Sequence, residues 1–131
     1  MHLDHIAIAC RDVERMRAWY ERVLGLEVRA RKVPSRPDAT QATYLVGIPG
    51  SLAAFELTPD DGTAPAARKP FTPGISHIAL AVDDLGSWEA KLSAHEVTWL
   101  GPAGDAVGGG KVRSFLDPEG NMLQLVQRKK P

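Results

Sequence analysis

The strongest constraint on this chain is that its sequence repeats itself. Residues 4–13 read DHIAIACRDV, and residues 76–85 read SHIALAVDDL. His5 aligns with His77, Ile6 with Ile78, Ala7 with Ala79, Ala9 with Ala81 and Asp12 with Asp84. The match continues into an apolar stripe. Val13, Met16 and Tyr20 stand at i, i+3 and i+7, and so do Leu85, Trp88 and Leu92, the spacing of one helix face. Further on, Phe55-Glu56-Leu57 matches Leu123-Gln124-Leu125. The offset is 72 residues between the histidines and 68 between Glu56 and Gln124, a difference that loop length absorbs. Self-similarity of this kind points to one supersecondary unit used twice.

Each half reads as βαβββ, an α+β architecture. Module one covers about 1–60 and module two about 74–131, joined by a linker over about 58–74 that carries four prolines. In module one the pattern predicts a strand near residues 3–10 and a helix over 13–24. Asp12 is placed to cap that helix and Gly25 to end it. Strands follow near 26–33, 41–46 and 52–58. In module two the strands fall near 75–82, 97–100, 112–116 and 122–127, with a helix over 85–94. The turn formers Asp117-Pro118-Glu119-Gly120-Asn121 predict a hairpin between the last two strands.

Composition narrows the function classes. At 131 residues the chain has the length of a single domain and needs no disulfide or metal merely to fold. Lys+Arg and Asp+Glu both number 16, which argues against nucleic acid, whose binders carry a basic excess. Hydrophobic residues make up 44%, too many for a disordered chain. The single cysteine, Cys10, excludes an internal disulfide and fits a reducing compartment. No stretch of about 18 apolar residues offers a membrane span, and the N-terminus lacks the pattern of a secretory signal. A cytoplasmic location is expected.

Strand alternation then isolates candidate functional residues. One face of each opening strand is bulky: Ile6, Ile8 and Cys10, matched by Ile78, Leu80 and Val82. The other carries His5, Ala7 and Ala9, matched by His77, Ala79 and Ala81. A histidine followed by small alanines packs poorly and makes a good cavity floor. Glu56 and Gln124 hold polar positions inside otherwise apolar closing strands, where a carboxylate is costly unless paired, exposed or bound to a metal. His5, Glu56, His77 and Gln124 are therefore the candidate metal ligands. Two imidazoles, a carboxylate and an amide oxygen suit a divalent first-row metal with water in the remaining positions. They lack the thiolates of a closed structural zinc site. Cys10 is expected to be buried, Trp19 to lie on the helix surface, and Tyr20 and Trp88 to be core. The segment 104–111 reads as a mobile loop over the site, and Arg128-Lys129-Lys130 as a solvated tail.

These motifs resemble the vicinal oxygen chelate superfamily, which includes glyoxalase I, methylmalonyl-CoA epimerase, extradiol dioxygenases and bleomycin-binding proteins. The residues that carry the resemblance are DHIAIACRDVERMRAWYERVLGLE, SHIALAVDDL, FELTP and FLDPEGNMLQLV, which together span nearly the whole chain. The resemblance implies two tandem βαβββ modules forming a curved mixed sheet around a metal-binding cavity, all within a single domain. It places the metal on His5, Glu56, His77 and Gln124. There is one departure: most metal-using members have glutamate at the position of Gln124. Glutamine can ligate through its oxygen but cannot take a proton, so Glu56 is the catalytic candidate.

The expected function is a metal-dependent lyase or isomerase, glyoxalase I-like or epimerase-like. It would act on a small carbonyl or vicinal-oxygen substrate through an enediolate, with the ion as Lewis acid and Glu56 as base. The metal could be nickel, cobalt, manganese, iron or zinc. Two alternatives stand beside it: a small non-heme iron dioxygenase, because His5, His77 and Glu56 form a two-histidine, one-carboxylate set, and a non-catalytic drug-binding or resistance protein. The expected partners are a small-molecule substrate and a second copy of the chain in a homodimer, with neither nucleic acid nor membrane.

Overall fold

A computed structural model of the protein describes residues 1–130. Its elements run, in chain order, β1 (His5–Cys10), α1 (Val13–Leu24), β2 (Glu27–Lys32), β3 (Thr43–Gly47), β4 (Ala54–Pro59), β5 (Ile78–Ala81), α2 (Leu85–Ala94), β6 (Thr98–Trp99), β7 (Gly104–Asp105), β8 (Lys111–Leu116) and β9 (Met122–Gln127). Met1–Pro65 form one compact unit and the residues from Ala66 onward a second.

Both helices begin and end where the sequence predicts. The Asp12 side chain accepts from the Arg15 N–H at 3.0 Å, and Asp84 accepts from the Ser87 N–H at 3.2 Å. Each cap satisfies one of the unpaired donors of a first turn. A second device recurs in both units: Gln41 Oε1 accepts the Val13 N–H at 2.8 Å, and Gln127 Oε1 accepts the Leu85 N–H at 2.7 Å. Gly25 ends α1 at φ 70°, a left-handed conformation that costs glycine little.

The first unit holds a four-stranded sheet in the order β1-β4-β3-β2, with β1 parallel to β4 and the other pairs antiparallel. Register puts Ile8 beside Leu57, and Phe55 beside both Ile6 and Val46. This face packs under α1, where Tyr20, Met16, Val13 and Val23 are fully buried. The rings of Trp19, Tyr20 and Phe55 run in series at 5.0 Å between successive centroids. Trp19 is thus core rather than surface. It lies at the edge of the buried arc, one position off the strict apolar stripe. Arg29 is the extra residue of a bulge in β2, between Val28 and Ala30. Its guanidinium lies over Gly47, where a Cβ would collide with it, and donates to the Ile48, Ser51 and Leu52 carbonyls of the β3–β4 turn.

The second unit holds a five-stranded sheet, β5-β9-β8-β6 with β7 added against β8. The opening and closing strands are again parallel. Leu123, Leu125 and Phe115 are buried beneath α2. That helix buries only Leu85 and Leu92. Trp88 is consequently half-buried rather than core, with the Lys91 ammonium 4.4 Å from its ring. Trp99 caps the packed face, its ring edge-on to Phe115 and beneath the Arg113 guanidinium at 4.0 Å.

The expected α+β architecture of two tandem modules is present, each module built on its own mixed sheet. Residues 104–111 form a hairpin from β7 into β8 instead of a mobile loop. Gly110 sits at φ 97°, and a Cβ there would overlap the Gln127 carbonyl. Arg128, expected in a solvated tail, clamps that turn by donating to the carbonyls of Val107 at 2.5 Å and Gly109 at 3.1 Å. Cys10 is fully buried.

Candidate functional site

The face of the first sheet turned away from α1 carries the candidate residues of module one. Register arranges it as a grid. One row holds His5, Ala54 and Gly47; the next Ala7, Glu56, Leu45 and Ala30; the third Ala9, Thr58, Thr43 and Lys32. Around Glu56 this face carries the small side chains of Ala7 and Ala30, with Leu45 between Glu56 and Ala30. A cleft of about 550 Å³ opens over this face, and His5, Glu56, Thr43, Thr58 and Lys32 line it.

The structure brings His5 and Glu56 together, with Nε2 and Oε2 3.5 Å apart. The other ring nitrogen of His5, Nδ1, is 2.7 Å from Asp4 Oδ2. A carboxylate only accepts, so Nδ1 must carry a proton. In the neutral ring Nε2 is then a lone pair facing a carboxylate oxygen, two acceptors that attract each other only with a cation or a proton between them. Accordingly the Asp4 hydrogen bond, aided by the Glu56 charge, raises the His5 pKa above its ordinary 6.5.

In the second unit His77 is exposed, one residue before β5. Its Nδ1 is 3.0 Å from Ser76 Oγ. The residue preceding the histidine therefore engages Nδ1 in both repeats. Serine can donate as well as accept, so it does not impose a tautomer as Asp4 does. Gln124 pairs with Ala79 across the parallel strands, the counterpart of Glu56 beside Ala7. Its Nε2 donates to Ser114 Oγ at 3.1 Å, which turns the ligating end, Oε1, away from that bond. Among the described residues no three His, Cys, Asp or Glu side chains gather into a ready cluster.

The His5–Glu56 pair passes a test of fit to an ion. Two ligands on one ion at metal–ligand distances of about 2.1 Å lie about 3.0–3.4 Å apart, close to the observed 3.5 Å. An imidazole whose far nitrogen is held by a carboxylate is the usual outer-shell arrangement for a metal-ligating histidine. Sequence reasoning missed Asp4, Ser76 and Ser114. For the first two the signal was available: a polar residue immediately before each repeated histidine.

Protonated His5 is stabilised by its two carboxylate neighbours. That contribution is complete below pH 6.5 and disappears as pH rises through the raised midpoint. Asp4→Asn removes the largest cause of the shift, so the His5 midpoint in an NMR titration of the metal-free protein should fall toward 6.5. An unchanged midpoint would place the cause elsewhere.

Comparison with known proteins accords with this architecture. Residues 2–125 match the family profile of the Glyoxalase/Bleomycin resistance protein/Dioxygenase superfamily. The chain is 29% identical to the mitochondrial methylmalonyl-CoA epimerase of Bos taurus over 95% of its own length and 73% of that protein's. It is 28% identical to a probable lactoylglutathione lyase of Synechocystis sp., over 97% of this chain and 95% of that one. The crystal structure of a glyoxalase family protein from Enterococcus faecalis superposes with a TM-score of 0.79 at 22% identity, covering 95% of this chain and 96% of that one. No helix among the described residues is long and apolar enough to cross a membrane.

Proposed function

Because the chain belongs to the glyoxalase/bleomycin resistance protein/dioxygenase superfamily, we propose that it is a metal-dependent lyase or isomerase that moves a proton beside a carbonyl group. His5, Glu56, His77 and Gln124 are the proposed ligands of a divalent ion. The observation that carries the reading is the approach of His5 Nε2 to Glu56 Oε2 at 3.5 Å, two acceptors aimed at one point above the open face of the sheet. The epimerase and lyase relatives, at 29% and 28% identity, support the reaction class.

When bound, the ion would polarise a substrate carbonyl as a Lewis acid. The chain's own residues supply the rest. Asp4 holds the His5 ring with Nε2 toward the cleft. Ser114 anchors the Gln124 amide. The small, exposed side chains of Ala7, Ala9 and Ala30 leave room above the sheet for a substrate. Glu56 is half-exposed on that face and is the ligand-position group that can accept and return a proton. A carboxylate that takes a proton from carbon and gives it back on either face gives an epimerase. One that returns it to a neighbouring carbon gives an isomerase or a lyase of the glyoxalase I type.

Metal uptake tests the reading. Dialysed protein should bind nickel, cobalt, manganese, iron or zinc, measured by calorimetry and elemental analysis. His77→Ala should weaken binding by about a hundredfold or more, beyond the range for loss of an outer-shell partner. Wild-type protein that takes up none of these metals is instead a binding module.

A further inference from the structure

The third row of the open face has no part in the ligand set, yet it is the more polar one. Register places Lys32 beside Thr43 and Thr58 beside Ala9, and the two threonines meet side chain to side chain. The Thr43 and Thr58 hydroxyls lie 3.0 Å apart. In such a pair one hydroxyl donates to the other, and the acceptor keeps its own proton to donate outward. The row therefore offers a free O–H and, at its end, an ammonium.

Two cations line the cleft, Lys32 and Arg36. Arg36 is occupied: it donates to the Pro59 carbonyl at 2.6 Å and the Asp60 carbonyl at 3.3 Å, and lies 3.7 Å from Asp38. Lys32 has no carboxylate partner among the described residues. An uncompensated cation beside spare hydroxyl donors, inside a cleft and next to a reactive pair, is the chemistry of an anion-receiving position.

We infer that the Lys32–Thr43–Thr58 row receives the distal carboxylate of the substrate, so that the substrate is a small carbon acid with a second, anionic end. The inference rests on the proposed reaction only in assigning the near end to His5 and Glu56. The geometry sets the length. Thr58 is two residues beyond Glu56 on β4, about 6.7 Å along the strand, and Lys32 lies two strands over, at about 4.8 Å per step. A dicarboxylate of five carbons matches the step from Glu56 to Thr58, and the long Lys32 side chain has the reach to meet its distal end from two strands over. One cation and one free hydroxyl match a single negative charge. A phosphate dianion would call for more donors.

The probes are glutarate, pentanoate and inorganic phosphate, titrated by NMR into the full metal-free chain. Glutarate and pentanoate each carry a carboxylate that the row can receive, and both should shift the Thr43 and Thr58 amides. Lys32→Gln should weaken glutarate binding by about fivefold or more, the loss expected for one charge-assisted contact. Thr43→Val, which keeps the side-chain shape, should weaken it less. Lys32→Gln should take up metal as the wild type does. Equal glutarate affinity in Lys32→Gln, shifts confined to other parts of the chain, or tighter binding of phosphate than of glutarate would each overturn the inference. Wild-type protein that binds glutarate at Lys32 but takes up no metal would overturn the proposed reaction and leave the anion position standing.

Discussion

Glu56→Gln is expected to lower turnover by about two to four orders of magnitude, the usual contribution of a general base, while most of the bound metal is retained. The amide oxygen can still ligate, and the side chain keeps its size on a floor where Ala7 and Leu45 flank it. What disappears is the ability to take a proton. The assay is turnover on 2-oxoaldehyde–thiol adducts and on acyl-CoA thioesters, with metal occupancy measured in the same samples. Gln124→Glu is the complementary variant: it puts a carboxylate at the position that matches Glu56 in the other repeat and should preserve metal. Wild-type turnover in Glu56→Gln at equal occupancy would assign the base to another group.

Phe55→Ala should destabilise the first unit by about 3–5 kcal/mol, the range for a buried aromatic truncated in a packed core. Phe55 is 2% exposed and is hemmed in on both sides. Ile6 and Val46 lie beside it on neighbouring strands, and the Tyr20 ring is 5.0 Å away. No neighbour is positioned to collapse into the space, since Tyr20 is itself held against Trp19. Urea unfolding followed by tryptophan fluorescence in a Trp88→Phe, Trp99→Phe background, which leaves Trp19 as the reporter, reads the effect, and a loss below about 1 kcal/mol would mean the core closes over the cavity. Glu56 is adjacent in sequence but on the opposite face, so the two variants separate stability from chemistry.

Strand alternation made most of this site legible. A histidine and two alanines on one side of β1, with Ile6, Ile8 and Cys10 on the other, have a single sensible packing, and the observed burial follows it. The helices were legible because Asp12, Gly25 and Asp84 are caps with a physical reason to be where they are. What escaped was set by partners distant in sequence. Residues Gly104–Asp105 are too short a strand to show alternation. Trp88 looked like core because it repeats Met16, but α2 rests on a narrower face than α1. Arg128 looked like part of a basic tail because its carbonyl partners lie about twenty residues upstream. The Lys32–Thr43–Thr58 row could be assembled only once register across three strands was known.

The parallel pairing of β1 with β4 has a consequence for how the first unit comes into being. His5 meets Ala54 across a loop of about fifty residues, and β4 is also the strand on which β3 rests. Hairpins can form as soon as their turns exist, but β1 has no neighbour until the last strand of its unit arrives. The entropy of closing that loop comes due in one step, and non-local pairing of this sort slows folding. During synthesis the opening strand waits with both edges bare until β4 emerges. β4 also carries Glu56, so the proposed base arrives on the segment that completes the sheet, and a chain stopped short of it lacks both the closed sheet and that carboxylate.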